Sequence, residues 1–313
     1  MNTQQLIQQL RVNYDLIGDA NKHAYEHLLM LKSDYTHLLN EEAELFIELS
    51  TSMAELQFNS NYRGALQNSQ AALAKYPESR HKNLVALHLK MIGHSYIHLG
   101  EHELAEKYLL QALDNVLPGN DDYIANRSYI LYNLAMNLEV KEAEPERAIQ
   151  YLSQAIELLK SDPNSKQSLR LANCLLGIGN IYNNLEDVQQ ALTYYFEALA
   201  IFEQGYHLSN IASGYGNIGN CYIKLKDFEQ AEKYLQRALD LRLKFSTPNE
   251  ISISYYNLAI LYKETGDLNR AEELLVLTQK RVQDAGNKPL MDMIEEEFAD
   301  LHEKKQARKA EAA

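Results

Sequence analysis

The sequence is short of basic residues and has no long apolar run. Its 313 residues include 43 acidic and 30 basic side chains, which gives a formal net charge of −13. Because nucleic acids and anionic membranes attract basic surfaces, this balance argues against both as general partners. The opening segment MNTQQLIQQLRVNY lacks the apolar stretch of about 7–15 residues that a secretory signal needs, and no later run approaches the about 18–20 residues of a membrane span. We therefore expect a cytoplasmic protein whose partners are neither nucleic acid nor membrane.

Residues that commonly carry catalysis are also scarce. The two cysteines, Cys174 and Cys221, have no CxxC or metal spacing around them, so we expect buried free thiols rather than a disulfide or a nucleophile. The phosphate-binding pattern GxxxxGK[ST] and the nucleophile pattern GxSxG are absent, and no pair of carboxylates stands out as a general acid and base. These absences predict a protein that is not an enzyme and uses no cofactor or metal.

What the chain does have is a small residue that recurs at a near-constant spacing. The intervals between successive members of the series are 40, 43, 43, 40 and 40 residues. The series consists of Ala65, Ala105, Ala148, Ala191, Ala231 and Ala271. A period of this size indicates a helical solenoid, in which each two-helix unit buries its apolar face on its neighbours.

The clearest unit is YGNIGNCYIKLKDFEQAEKYLQRALDL, residues 215–241. Three- and four-residue steps place large, small and aromatic side chains on one face of its first helix, and Lys226-Asp227 makes the turn to the second helix. We expect Gly219 of the first helix to lie opposite Ala231 of the second. The segment GYGNIG at 214–219 also fits the dinucleotide pattern GxGxxG, but it lies inside the first helix, so the spacing predicts helix packing.

Similar segments occur at 89–116, 175–202 and 255–281, and together they resemble tetratricopeptide repeats. The match is residue by residue at the family's characteristic positions, which are Gly93, Tyr96, Gly100, Ala105 and Ala112 in one unit. The family's bulky first residue is often Trp, which this chain lacks and replaces by Leu or Tyr. The resemblance implies an all-α, right-handed superhelical solenoid of antiparallel helix pairs. Units of about 40 residues, against the family's usual 34, are similar to the elongated repeats of bacterial sensory and peptide-binding arrays.

The repeat pattern predicts three regions. Residues 44–284 hold six repeats, and residues 1–43, which have helical periodicity without the signature, form capping helices. Residues 285–313 are interpreted in two ways: as a capping helix, or as a truncated seventh repeat in which ARKAEAA begins the second helix.

Two polar clusters on the first helices are candidate binding sites. His94 and His98 are four residues apart on one helix face, which allows a zinc site but more simply predicts a polar lining. Asparagines recur beside the small residue of several first helices, and in the family these positions line the concave face. An asparagine amide can pair with both the C=O and the N–H of an extended peptide. The alternative is that asparagine is only a tolerated residue of the helix surface.

The resemblance implies a backbone-gripping ladder of asparagines with selective neighbours. The predicted peptide-binding residues are Tyr132, Asn133, Asn180, Asn183, Asn184, Asn217, Asn220, Lys224, Tyr256 and Asn257. The carboxylate clamp of chaperone adaptors is not expected, because Leu176 stands where that clamp has its first lysine.

The function that follows is a scaffold that holds a protein or peptide segment in the concave groove. A second hypothesis is that the chain is the sensory region of a longer bacterial signalling protein with a kinase, cyclase or transcription-factor output beyond Ala313. A third is self-association through the apolar ends of the array, which light scattering over a concentration range would test.

Overall fold

The computed structural model describes residues 1–18, 21–119, 122–140, 144–162, 169–246, 248–285 and 288–311. In these ranges the chain forms fifteen α-helices and a short 3-10 turn at Thr36–Leu38, with no strand. The predicted all-α fold of successive helix pairs is therefore confirmed. The chain divides into unit 1, Met1–Asp162, and unit 2, Pro163–Ala313.

The described residues of unit 1 form eight helices in four consecutive pairs. They are α1 (Thr3–Gly18), α2 (Lys22–Asp34), α3 (Glu41–Asn59), α4 (Tyr62–Lys75), α5 (Lys82–His98), α6 (His102–Asn115), α7 (Tyr123–Val140) and α8 (Pro145–Ser161). Helices α1 and α2 pack on α3, and each later helix packs on the one before it.

Seven helices lie in the part of unit 2 that the structure describes. They are α9 (Leu169–Asn184), α10 (Val188–Gln204), α11 (Leu208–Lys224), α12 (Phe228–Phe245), α13 (Pro248–Thr265), α14 (Leu268–Ala285) and α15 (Lys288–Glu311). Within it, α9/α10, α11/α12 and α13/α14 are helix pairs, and α15 packs on α14. Residues 307–311 continue α15, so the expectation that ARKAEAA begins a second helix is wrong for these residues.

The turn inside each pair of unit 2 has one design. An aspartate caps the second helix by accepting a hydrogen bond from a backbone N–H three residues on, as Asp227 does from Gln230 N at 3.2 Å. The preceding residue, Lys226, has φ +59°, in the left-handed region that glycine adopts most easily. Gly266, with φ +87°, occupies the equivalent position before α14. The strong cap holds the turn even where the left-handed residue is not glycine.

Close packing between paired helices depends on glycine. A Cβ added at Gly219 would lie 2.6 Å from the Leu235 side chain and 3.3 Å from its backbone N, and one added at Gly93 would lie 3.2 Å from the Ala105 carbonyl. The glycine contact is confirmed, but for Gly219 the nearest atoms belong to Leu235, one turn beyond the expected Ala231. The three glycines of GYGNIG all lie inside α11, which confirms the helix-packing interpretation.

Both cysteines lie in the core of unit 2. Cys174 and Cys221 are buried free thiols, as predicted, and burial raises their pKa to about 12 and about 11. None of the described helices combines the length and the apolar character that a bilayer crossing requires.

Candidate functional site

The first helices α9, α11 and α13 form one surface of unit 2, here called the first-helix face. Its central feature is a pair of predicted residues. Asn217 Nδ2 on α11 donates to Asn180 Oδ1 on α9 at 3.3 Å, and the Tyr195 hydroxyl on α10 donates to the same oxygen at 2.9 Å. Tyr195 fixes the orientation of the Asn180 amide, because its hydroxyl bonds to the amide oxygen.

This pair retains hydrogen-bonding capacity. Asn180 Nδ2 and Asn217 Oδ1 make no hydrogen bond with the described residues, and both side chains are half-buried. One asparagine therefore offers donors and its neighbour offers an acceptor, on adjacent helices. That combination can pair with the N–H and C=O groups of an extended backbone.

A second link lies toward the end of α9. Lys224 Nζ donates to both the backbone carbonyl and Oδ1 of Asn183, each at 2.9 Å. A cation near the last carbonyls of a helix is favourable because it meets the negative end of the helix dipole. Asn184 is exposed and Asn220 is half-buried, and neither bonds to another described side chain. Lys224 thus contributes to helix pairing as well as to the surface.

A third link was missed by the sequence analysis. Asn210 Nδ2 on α11 donates to Asn173 Oδ1 on α9 at a long 3.5 Å. Each of these residues precedes a predicted asparagine by seven positions, which is two helical turns. The repetition of Asn at that interval, in Asn173–Asn180 and in Asn210–Asn217, is the signal that would have found them.

Helix α13 places the last two predicted residues differently. Asn257 is 9% exposed and makes no hydrogen bond to a described residue. The Tyr256 hydroxyl lies 3.5 Å from Glu297 Oε1 on α15, and its ring packs against the cluster of Val282, Leu290 and Ile294. Burial, with Glu297 adding to it, raises the pKa of Tyr256 to about 12. Tyr256 is therefore covered by α15, whereas Asn257 is not bonded to it.

In unit 1 the equivalent asparagine, Asn133, already makes hydrogen bonds within the unit. Asn133 on α7 is 3% exposed, its Nδ2 donates to the Tyr129 carbonyl at 2.7 Å, and His94 Nδ1 on α5 donates to its Oδ1 at 3.0 Å. Tyr132 beside it is half-buried. Asn137, one turn further and not predicted, exchanges two hydrogen bonds with His102. Histidine thus takes the place that asparagine has in unit 2.

The histidine pair of α5 belongs to this packing. His98 stacks on Tyr62 with ring centroids 4.1 Å apart, and His94 contacts His98 edge-on at 4.7 Å. Burial lowers the pKa of both rings, so both favour the neutral form. Among the residues that the structure describes, no three His, Cys, Asp or Glu side chains form a metal-binding group.

Two segments match family models for the tetratricopeptide repeat, residues 91–115 and 210–276. They include helix pairs from both units. The chain therefore contains tetratricopeptide repeats in both units. No curated protein sequence matches it.

Several solved structures of tetratricopeptide repeat proteins resemble this one. NprR in complex with its cognate peptide NprX has a TM-score of 0.67 at 15% identity, over 93% of this chain and 82% of that chain. A Rap protein complexed with Competence and Sporulation Factor has 0.61 at 16%, over 96% and 98%. A signal transduction ATPase (STAND) with a tetratricopeptide repeat sensor from Pyrococcus horikoshii has 0.64 at 18%, over 93% of this chain and 45% of that chain. At these identities the likeness shows the fold alone.

Proposed function

We propose that this tetratricopeptide repeat protein is a non-enzymatic binder of an extended peptide or protein segment, and that the first-helix face of unit 2 holds the segment. The observation that carries the proposal is the Asn180–Asn217 pair, whose remaining donors and acceptor lie on adjacent helices. Neighbours such as Asn183, Asn184, Asn220 and Lys224 supply selectivity.

The proposed mechanism is pairing with the main chain of the ligand. Tyr195 and Asn217 orient the Asn180 amide before any ligand arrives, so little side-chain freedom is lost on binding. Recognition of a main chain is largely independent of ligand sequence. NprR holds its cognate peptide NprX on the same fold, and Rap is complexed with Competence and Sporulation Factor, which supports the choice of ligand class.

Selection from a library of random hexapeptides tests this proposal. The native chain is compared with the double variant Asn180→Ala/Asn217→Ala. A control variant, Gln189→Ala/Gln236→Ala, removes two exposed amides from the second helices α10 and α12. We expect the native chain and the control to enrich the same peptides and the asparagine variant to lose them. Equal enrichment by all three chains would contradict the proposal.

A second candidate function is the sensory region of a longer signalling protein. The structural likeness to the STAND ATPase, which has a tetratricopeptide repeat sensor, favours it, and this chain spans 45% of that protein. Sequencing the complete reading frame tests it. An adjoining kinase, cyclase, ATPase or DNA-binding segment supports the sensor role, and a frame that encodes the array alone contradicts it.

A further inference from the structure

A buried arginine lies behind the first-helix face of unit 2. Arg242, in the last turn of α12, is only 6% exposed. Its Nη1 donates to Ser254 Oγ on α13 at 2.9 Å, and its Nη2 lies 3.4 Å from Ser213 Oγ on α11. The guanidinium therefore reaches from a second helix to the two first helices beside it.

The charge of this guanidinium has no ion-pair partner among the described residues. Both of its hydrogen-bond partners are neutral hydroxyls, and the Glu250 carboxylate acts on it through space, without a hydrogen bond or ion pair to it. A buried charge is ordinarily paired, because desolvation is costly. Arg242 also has five N–H donors, of which two are used. It thus has both charge and donors to offer.

Gly216 on α11 is itself buried, and its missing side chain leaves a gap beside these donors. A Cβ built at Gly216 on α11 would lie 4.0 Å from Arg242 Nη2 and 3.7 Å from Asn257 Nδ2. The two donors therefore lie within 4.0 Å of one point that no side chain fills. Asn257 makes no hydrogen bond to a described residue, so its amide donors are available there.

We infer that Arg242 and Asn257 bind a carboxylate of the held segment through the gap at Gly216. The carboxylate comes from an aspartate or glutamate side chain or from the free end of a peptide. This inference rests on the proposed function and adds the ligand's chemistry to it. Carboxylate geometry matches the guanidinium fork, and its single charge balances the single charge of Arg242. A phosphate dianion would leave a negative charge near Glu250, so it fits less well.

Two substitutions separate recognition from packing. Arg242→Met removes the charge and also the links to Ser213 and Ser254. Gly216→Ala keeps those links and fills the gap, and its methyl group would make only ordinary van der Waals contacts. The matched control is Gly214→Ala on the same helix, where the new methyl group would contact the Leu199 side chain at 3.5 Å, away from Arg242.

The probe is a positional library of hexapeptides with acetylated amino ends. Each position carries Asp, Glu, Asn, Gln or phosphoserine in turn, and each peptide is made with a free carboxyl end and with an amidated end. We expect the native chain and Gly214→Ala to prefer carboxylates over the matching amides by about tenfold, as for a charge-assisted hydrogen bond. Gly216→Ala and Arg242→Met should lose this preference while still binding the amide peptides.

The outcomes distinguish the two sources of the carboxylate, and they distinguish failure of this inference from failure of the proposed function. A preference confined to free carboxyl ends identifies the terminal carboxylate, and one confined to Asp or Glu identifies a side chain. Binding without acid preference, a preference for phosphoserine, or a preference that survives both Gly216→Ala and Arg242→Met overturns the inference and leaves the proposed function standing. A native chain that binds none of the peptides contradicts the proposed function and this inference with it.

Discussion

The first-helix faces of the two units place polar residues at the same positions and use them differently. In unit 1, His94 bonds to Asn133, which is 3% exposed. In unit 2, Asn180 bonds to Asn217, and both are half-buried with donors and an acceptor to spare. Whether a groove asparagine is available therefore depends on the residue that the preceding first helix presents to it. We call an asparagine closed when an imidazole bonds to its oxygen, as in unit 1. We call it open when its partner is a second amide and donors and an acceptor remain, as in unit 2.

The largest expected difference between the units is their response to acid. His88 in unit 1 is fully buried, and its pKa is lowered from 6.5 to about 4 by desolvation, although its bond to the Leu45 carbonyl opposes this. Unfolding therefore takes up a proton between these values, so stability is full above about pH 6.5 and falls as pH falls toward 4. We expect unit 1 to lose about 2 kcal/mol by pH 5 and about 3 kcal/mol in total from this residue.

Hydrogen exchange at pH 7 and pH 5 measures this, with protection in α3 and α5 compared with α11 and α12. No histidine in the described part of unit 2 is fully buried, so its helices should change less. His88→Gln should make the loss of protection between pH 7 and pH 5 similar in the two units. Equal loss of protection in both units of the native chain would contradict the assignment.

A second expectation concerns a feature that the units share. Gly93→Ala in unit 1 and Gly219→Ala in unit 2 should each lower the free energy of unfolding by about 1–3 kcal/mol, because the added methyl group meets a neighbouring helix at less than 3.0 Å. Gly214→Ala should be neutral or stabilising by about 0.5–1 kcal/mol. Urea titration of the three variants checks this order, and a stable Gly219→Ala would show that the helices can separate.

A third expectation compares the asparagines themselves. Asn133→Ala should destabilise unit 1 by about 1–2 kcal/mol, because it leaves the half-buried ring of His94 without its hydrogen-bond partner. Asn217→Ala should cost unit 2 less than about 1 kcal/mol, since water can reach the half-buried Asn180 amide. Urea titrations monitored by hydrogen exchange in α7 and α11 compare the two variants. The reverse order would mean that unit 2, not unit 1, depends on its asparagine for stability.

The smallest expected effect is at Lys224. Its bonds to Asn183 are exposed to solvent, so Lys224→Met should change the free energy of unfolding by less than about 0.5 kcal/mol. Thermal unfolding in low and moderate salt measures it. A larger, salt-dependent loss would show that this link holds α9 and α11 together.

The fold could be predicted from the sequence because its signals are local. Gly219 and Gly93 fall where two helices approach, and Asp227 follows the left-handed residue of a turn. These features recur about every 40 residues and depend little on distant parts of the chain. The exact contact was less predictable, since Leu235 rather than Ala231 meets Gly219.

The candidate site was only partly predictable. Asn133 and Asn217 each precede a buried Leu or Ile in similar first helices, and their difference comes from a residue on another helix, His94 or Asn180. Arg242 was not singled out at all. An arginine in the last turn of a helix is typical of an exposed residue, and it is buried here because its neighbours on α11 and α13 are small.

The central claim is that unit 2 presents the open asparagines and unit 1 the closed ones. The direct measurement is calorimetric titration of a library-selected hexapeptide into the native chain, Asn180→Ala/Asn217→Ala and Asn133→Ala, each confirmed as folded by circular dichroism. We expect the unit 2 variant to bind about tenfold or more weakly, from the loss of two or more hydrogen bonds, and Asn133→Ala to bind as the native chain does. Native affinity in the unit 2 variant, with weakened binding in Asn133→Ala, would contradict the claim.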